Sequence, residues 1–111
     1  MALNYDEKSD SLSVDLSSKK AHVSLEVSPR FIIDLTASNQ PTGIELLDAS
    51  EVLSKLFGVK IKKSDLHKLH CKINEQAIRR KEELYATFEL GNKTARLLIP
   101  TNYQSPVVAS G

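Results

Sequence analysis

A single cysteine, Cys71, leaves no way to form an intramolecular disulfide. The expectation that follows is a reducing, cytoplasmic setting. Glycine is also sparse: four residues, none clustered, which excludes a Gly-rich phosphate-binding loop. No apolar run approaches the ~20 residues that a membrane-spanning helix needs. The start, Met1-Ala2-Leu3-Asn4-Tyr5-Asp6, lacks the basic opening and apolar centre of a secretory leader. No histidine is placed with a serine or cysteine in a recognised nucleophile motif. An excess of one charge is lacking too. A net charge of +1 provides no global pull toward nucleic acid or anionic lipid.

What is present fits one globular domain. The 111 residues are 41% apolar and 26% charged, ordinary usage for a chain that buries a core. A domain of this size buries roughly 60–70% of its unfolded surface, enough to fold alone with little stability to spare. The near-zero net charge hides an asymmetry. Residues 1–58 hold five Lys/Arg against nine Asp/Glu, and residues 59–111 hold ten against five. Halves of opposite sign can pack on each other within one chain or between copies, although solvated faces explain the pattern as simply.

Hydrophobic periodicity points to an α+β fold dominated by antiparallel sheet, with about six to eight short strands. Leu12, Val14 and Leu16 alternate with polar residues, and Leu3 and Tyr5 begin a similar pattern. The polar stretch Asp6-Glu7-Lys8-Ser9-Asp10 between them predicts a hairpin. Ala21, Val23, Leu25 and Val27 alternate next, up to Pro29, which removes a backbone donor and ends the strand. Phe31-Ile32-Ile33-Asp34-Leu35 is a more continuous apolar run, which predicts a central strand covered on both faces. A turn over residues 38–43 leads to a return strand, Ile44 to Leu47.

One amphipathic helix is expected near residues 49–57. Asp48 and Glu51 have the spacing of a capping box, and Val52, Leu53, Leu56 and Phe57 form one apolar stripe. Gly58 is placed for a left-handed C-cap. Beyond it, Ser64 to Leu69 reads as one helical turn capped by Ser64. Leu69, Cys71 and Ile73, then Leu84, Ala86, Phe88 and Leu90, then Ala95, Leu97 and Ile99 alternate as strands. Residues 75–83 are rich in helix formers but stand between strands, so strand or loop is expected there. The division is therefore a single α+β domain over residues 1–100, with a β-rich extension at 59–100 and a flexible tail at 101–111.

Three segments carry a family resemblance. They are Tyr5-Asp6 with Asp10, Leu12, Val14 and Leu16; Glu26-Val27-Ser28-Pro29 running into Phe31-Ile32-Ile33-Asp34; and Gly43-Ile44-Glu45-Leu46-Leu47-Asp48-Ala49-Ser50. In order and spacing they resemble the small prokaryotic family catalogued as domain of unknown function 2283, over about residues 3–58. The resemblance implies a compact domain of short strands followed by a helix, in a bacterium or archaeon. It implies no established activity and no cofactor. Members often stand beside small toxin-like proteins, which implies an antitoxin-like role or a protein partner from a neighbouring gene.

The candidate chemistry is thin. His67, His70 and Cys71 are zinc-type ligands, with His22 as a conceivable fourth. A strand from Leu69, however, sends His70 and Cys71 to opposite faces. A core thiol and surface imidazoles are the simpler account. Asp6 and Asp10 bracket a turn, and Asp34, Glu45 and Asp48 recur at strand ends. Turn hydrogen bonding and helix capping explain them without catalysis. Arg79, Arg80 and Lys81, with Lys60, Lys62, Lys63, Lys68 and Lys72, form a basic group able to meet phosphates, with Tyr85 as the nearby aromatic. A sheet of short strands in so small a domain exposes at least one edge, and two-fold pairing of copies is the commonest way to bury one. The expectation is a non-enzymatic interaction module, homodimeric, with protein partners. The alternatives are a nucleic-acid or ribosome-associated factor using the basic second half, and a small hydrolase or metal-binding protein.

Overall fold

The computed structural model describes residues 2–74 and 83–100. Arg79, Arg80, Lys81 and the 101–111 tail lie outside those residues, as does all of the 75–83 stretch except Glu83, which is neither helix nor strand. The described chain is α+β, with strands β1 (Ala2–Asp6), β2 (Ser11–Asp15), β3 (Val23–Ser28), β4 (Phe31–Leu35) and β5 (Pro41–Leu46) followed by helix α1 (Ala49–Phe57). A 3₁₀ helix, Lys63–Lys68, then leads to β6 (His70–Ile73), β7 (Leu84–Leu90) and β8 (Lys93–Ile99). All pairings are antiparallel. The first sheet has the order β1-β2-β5-β4-β3 and the second β6-β7-β8, so the extension builds its own sheet rather than lengthening the first.

Period-two patterning decides which face each side chain takes. Leu12 and Val14 of β2, Phe31, Ile33 and Leu35 of β4, and Ile44 and Leu46 of β5 are buried. In the second sheet Leu84, Ala86 and Phe88 of β7 and Ile99 of β8 are buried. Ala49 and Leu53 of α1, with Ile61, Leu66 and Leu69 around the 3₁₀ helix, join both sets into one continuous cluster. The helix packs along β8, and the 3₁₀ helix touches β7.

Three local expectations need correction. β4 is not covered on both faces: its burial alternates, and Asp34 on the outer face takes a 2.6 Å hydrogen bond from the Ser24 hydroxyl. The most fully buried strand is β5, the middle strand of the sheet, whose first four residues are all buried. β5 also starts at Pro41, so Gly43 is inside the strand and not in the turn. A Cβ on Gly43 would stand 3.3 Å from the Val14 carbonyl oxygen of β2. The turn before it is held by Thr36, whose hydroxyl accepts the Gln40 amide at 3.1 Å, with Asn39 at a left-handed φ of 65°. Finally, the 3₁₀ helix takes its side-chain cap from Asp65, which accepts the Lys62 amide at 3.1 Å, and not from Ser64.

At the far end of α1 the expected cap is present. Gly58 has φ 74°, and its amide reaches the Ser54 carbonyl at 2.9 Å. At the near end, Asp48 has φ 50° and makes no side-chain cap bond. It and Glu51 instead flank Arg30, at 3.1 and 2.8 Å. The expected capping box is replaced by a bond from elsewhere in the chain.

Candidate functional site: a buried carboxylate and an open strand edge

The replacement cap comes from Asp10, forty positions before Ser50 in the chain. The β1–β2 turn brings it there. Asp6 accepts the Lys8 amide and the Ser9 hydroxyl, and Asp10 closes the turn at a left-handed φ of 52°, a conformation that aspartate tolerates. Its carbonyl accepts the Ala49 amide at 2.8 Å. Its carboxylate accepts the Ser50 amide at 3.1 Å and the Ser50 hydroxyl at 2.6 Å. The Glu51 and Val52 amides go to the Asp48 carbonyl, each at 3.0 Å. These bonds satisfy the donors that a helix N-terminus leaves without intrahelical partners.

Asp10 also accepts the Tyr5 hydroxyl at 2.6 Å and is only 7% exposed. Burial alone would raise its pKa. Hydrogen bonds from the Ser50 hydroxyl, Tyr5 and the Ser50 amide outweigh that, with Lys63 adding positive potential, so the carboxyl titrates below its ordinary range. Tyr5 shifts upward, first because it is desolvated and then because it donates to a carboxylate. The Tyr5 ring meets His67 edge-on, with centroids 5.4 Å apart, and His67 reaches Glu7 at 3.2 Å. The cluster thus ties the first hairpin to α1 and to the 3₁₀ helix. With the Tyr5 hydroxyl and the Ser50 amide and hydroxyl all donating to its carboxylate, Asp10 acts as a clasp.

The proposed metal ligands are dispersed. His67 is on the 3₁₀ helix against Tyr5. His70 is exposed on the outer face of β6, and Cys71 points the other way, against the core. Burial lifts the Cys71 thiol to about 11, so it is protonated at neutral pH. Among the described residues no three His, Cys, Asp or Glu side chains converge as a metal site. Lys72, from the basic group, pairs with Glu89 at 3.2 Å. On the same outer face the Arg96 guanidinium lies 5.7 Å from the Tyr85 ring centre, and the Tyr85 hydroxyl donates to Glu83.

The sheet edges differ in how they are protected. β1 is tied by the Asp10 clasp. β6 is four residues long and carries Lys72. β8 has α1 along it and carries Lys93 and Arg96. β3 carries one exposed charge, Glu26, and a bulge between Glu26 and Ser28. Among the described residues its extensive contacts are with β4 alone. Val23 and Leu25 oppose the buried Leu35 and Ile33, so they belong to the core face, yet Val23 is 46% exposed and Leu25 and Val27 are only half-buried. Beside the end of β3, a groove of about 480 Å³ runs between the β3–β4 turn and α1, lined by Ser28, Pro29, Arg30, Val52, Lys55 and Leu56. The sequence pattern assigned β3 its apolar face but carried no sign that this strand would be an edge.

Fold and site together define a class: a two-sheet α+β protein with a buried, hydrogen-bonded carboxylate and, among the described residues, a strand edge paired on one side only. Residues 2–50 match the model of a family described as Protein of unknown function (DUF2283). The matched segment holds the whole first sheet and ends at Ser50, so it contains Tyr5, Asp10 and Ser50 but not His67 or the second sheet. No curated protein and no solved structure matches the chain.

Proposed function

We propose that this protein is a non-enzymatic interaction module that self-associates by burying the open edge of β3. The observation that supports this reading is the contrast across one hairpin: the core-side residues of β4 are buried, while the residues that oppose them on β3 are half-buried or exposed. An edge strand with apolar side chains and unpaired backbone groups is a template for another strand. The strand seam is short, so association is expected to be weak and concentration-dependent. Light scattering over a concentration series tests it. The native chain is expected to move from monomer to dimer, and Val23→Lys, which adds a charge to the edge, to remain monomeric. A native chain that is monomeric throughout overturns the reading.

A second reading, contact with single-stranded nucleic acid, draws support from the outer face of the second sheet. There Tyr85 lies beneath Arg96 and next to Leu98, which is 47% exposed. An aromatic ring beside a guanidinium can stack a base while the cation meets phosphate. Salt-dependent binding of a labelled oligonucleotide, lost in Arg96→Glu, is the expected outcome; binding unchanged by that substitution counts against it.

A further inference from the structure

We infer that the outer face of the second sheet holds a single nucleotide across two rows of side chains, the base against Tyr85 and Leu98 and its phosphate at Lys72, Thr87 and Arg96. The placement rests on the nucleic-acid reading above and specifies which row takes which group. The rows follow from strand register. Lys72 of β6 opposes Thr87 of β7, and Thr87 opposes Arg96 of β8, so the three cross the sheet side by side. Tyr85 opposes Leu98 two positions along β7. The intervening Cys71, Ala86 and Leu97 pack on the core side, so a period of two sets both rows on the outer face.

Spacing and charge select the ligand. Neighbouring strands lie about 4.8 Å apart, so the backbones of Lys72 and Arg96 stand about 10 Å from each other with Thr87 between them. Two long cationic side chains at that separation close on one anion, and the hydroxyl between them adds a donor. The two rows are about 7 Å apart along β7, comparable to the span from a base to its own phosphate. An inorganic anion would leave Tyr85 and Leu98 unused, and an apolar ligand would leave two cations uncompensated. A base carrying a phosphate engages both rows. Arg96 serves both, because its guanidinium lies 5.7 Å from the Tyr85 ring centre, where cation and ring attract each other. Access is open. Arg96 and Leu98 are exposed, and the Lys72 side chain is 76% exposed although it meets Glu89 at 3.2 Å. Glu89 stands in the next row, between His70 and Thr94. Its carboxylate repels a second phosphate and competes with the first for Lys72, so the site ends after one nucleotide.

Fluorescence anisotropy of a dye-labelled hexadeoxyadenylate, titrated with the 111-residue chain at low salt, tests the arrangement. Tyr85→Thr, which keeps a strand-forming residue and removes the ring, is expected to weaken binding at least fivefold, as is Arg96→Gln. Lys93→Gln, on β8 but outside both rows, is expected to change it less than twofold. Glu89→Gln is expected to tighten binding at least twofold, a gain that misfolding does not produce. Adenosine 5′-monophosphate, titrated into the native chain and followed by amide chemical shifts, is expected to move Tyr85 and Thr87 most and to bind within about tenfold of the hexamer. Adenosine alone and inorganic phosphate alone are each expected to bind at least fivefold more weakly than the monophosphate. Equal weakening by Lys93→Gln and Arg96→Gln, with no effect of Tyr85→Thr, overturns the two-row site and leaves a general electrostatic contact with nucleic acid standing. Shifts confined to other elements do the same. A native chain that binds neither the hexamer nor the monophosphate removes the nucleic-acid reading itself.

Discussion

The two outer strands of the first sheet are built from similar alternating sequences and end in opposite situations. β1 is tied down: Tyr5 and Asp10 bind each other, Asp10 binds the start of α1, and His67 closes over the Tyr5 ring. Among the described residues β3 has no comparable tether, and its apolar residues remain partly in water. The difference comes from long-range neighbours rather than from strand composition. A buried polar network rigidifies the elements it joins when all its members are satisfied, and no buried side-chain donor or acceptor is left unpaired among the described residues. The clasp therefore secures one flank of the sheet, and among the described residues the other flank has no such network.

The largest effect should come from breaking the clasp. Asp10→Ala removes a helix cap and leaves the Tyr5 hydroxyl and Ser50 donors without an acceptor, a loss of about 3 kcal/mol in urea unfolding. Asp10→Asn keeps an acceptor and tolerates the left-handed backbone, so it should cost less, about 1 kcal/mol. If Asp10→Ala were no more harmful than Val23→Lys, the contrast between the two edges would fail.

Acid should weaken the same flank. A carboxyl whose folded pKa is depressed contributes stability above its unfolded value, about 3.9. That contribution is lost as pH falls through the folded value. The native chain should therefore lose more stability between pH 5 and 3 than Asp10→Asn does, as followed by urea titration at each pH. Tyr5→Phe, which removes one donor but keeps the ring against His67, should cost about 1 kcal/mol. The smallest effect belongs to the open flank. Arg30→Ala, which breaks two exposed ion pairs beside the groove, should change stability by no more than about 0.5 kcal/mol in urea unfolding.

Much of the fold was readable from local pattern. Alternation placed the strands around Leu12, Leu25, Phe88 and Leu97, a continuous apolar run placed the one around Ile33, and the stripe from Val52 to Phe57 with Gly58 located α1. Where the reading missed, the cause was non-local. Asp48 and Glu51 had the spacing of a capping box, but a left-handed Asp48 cannot offer its side chain to the helix, and the cap came from Asp10. Gly43 looked like a turn residue because glycine is common in turns, whereas here it lets a central strand lie close to its neighbour. The family resemblance was recognised about eight residues past the Ser50 limit of the family match.

By itself the sequence determined most of the elements and the absence of a second cysteine, because period, turn chemistry and composition act over a few residues at a time. Tertiary structure alone decided that β5 is the middle strand, that β6, β7 and β8 build a separate sheet, that Asp10 caps a helix forty positions away, and that β3 is an edge strand. Strand order is settled by which apolar faces can be buried together, a competition among segments distant in the chain. No window along that chain records its outcome.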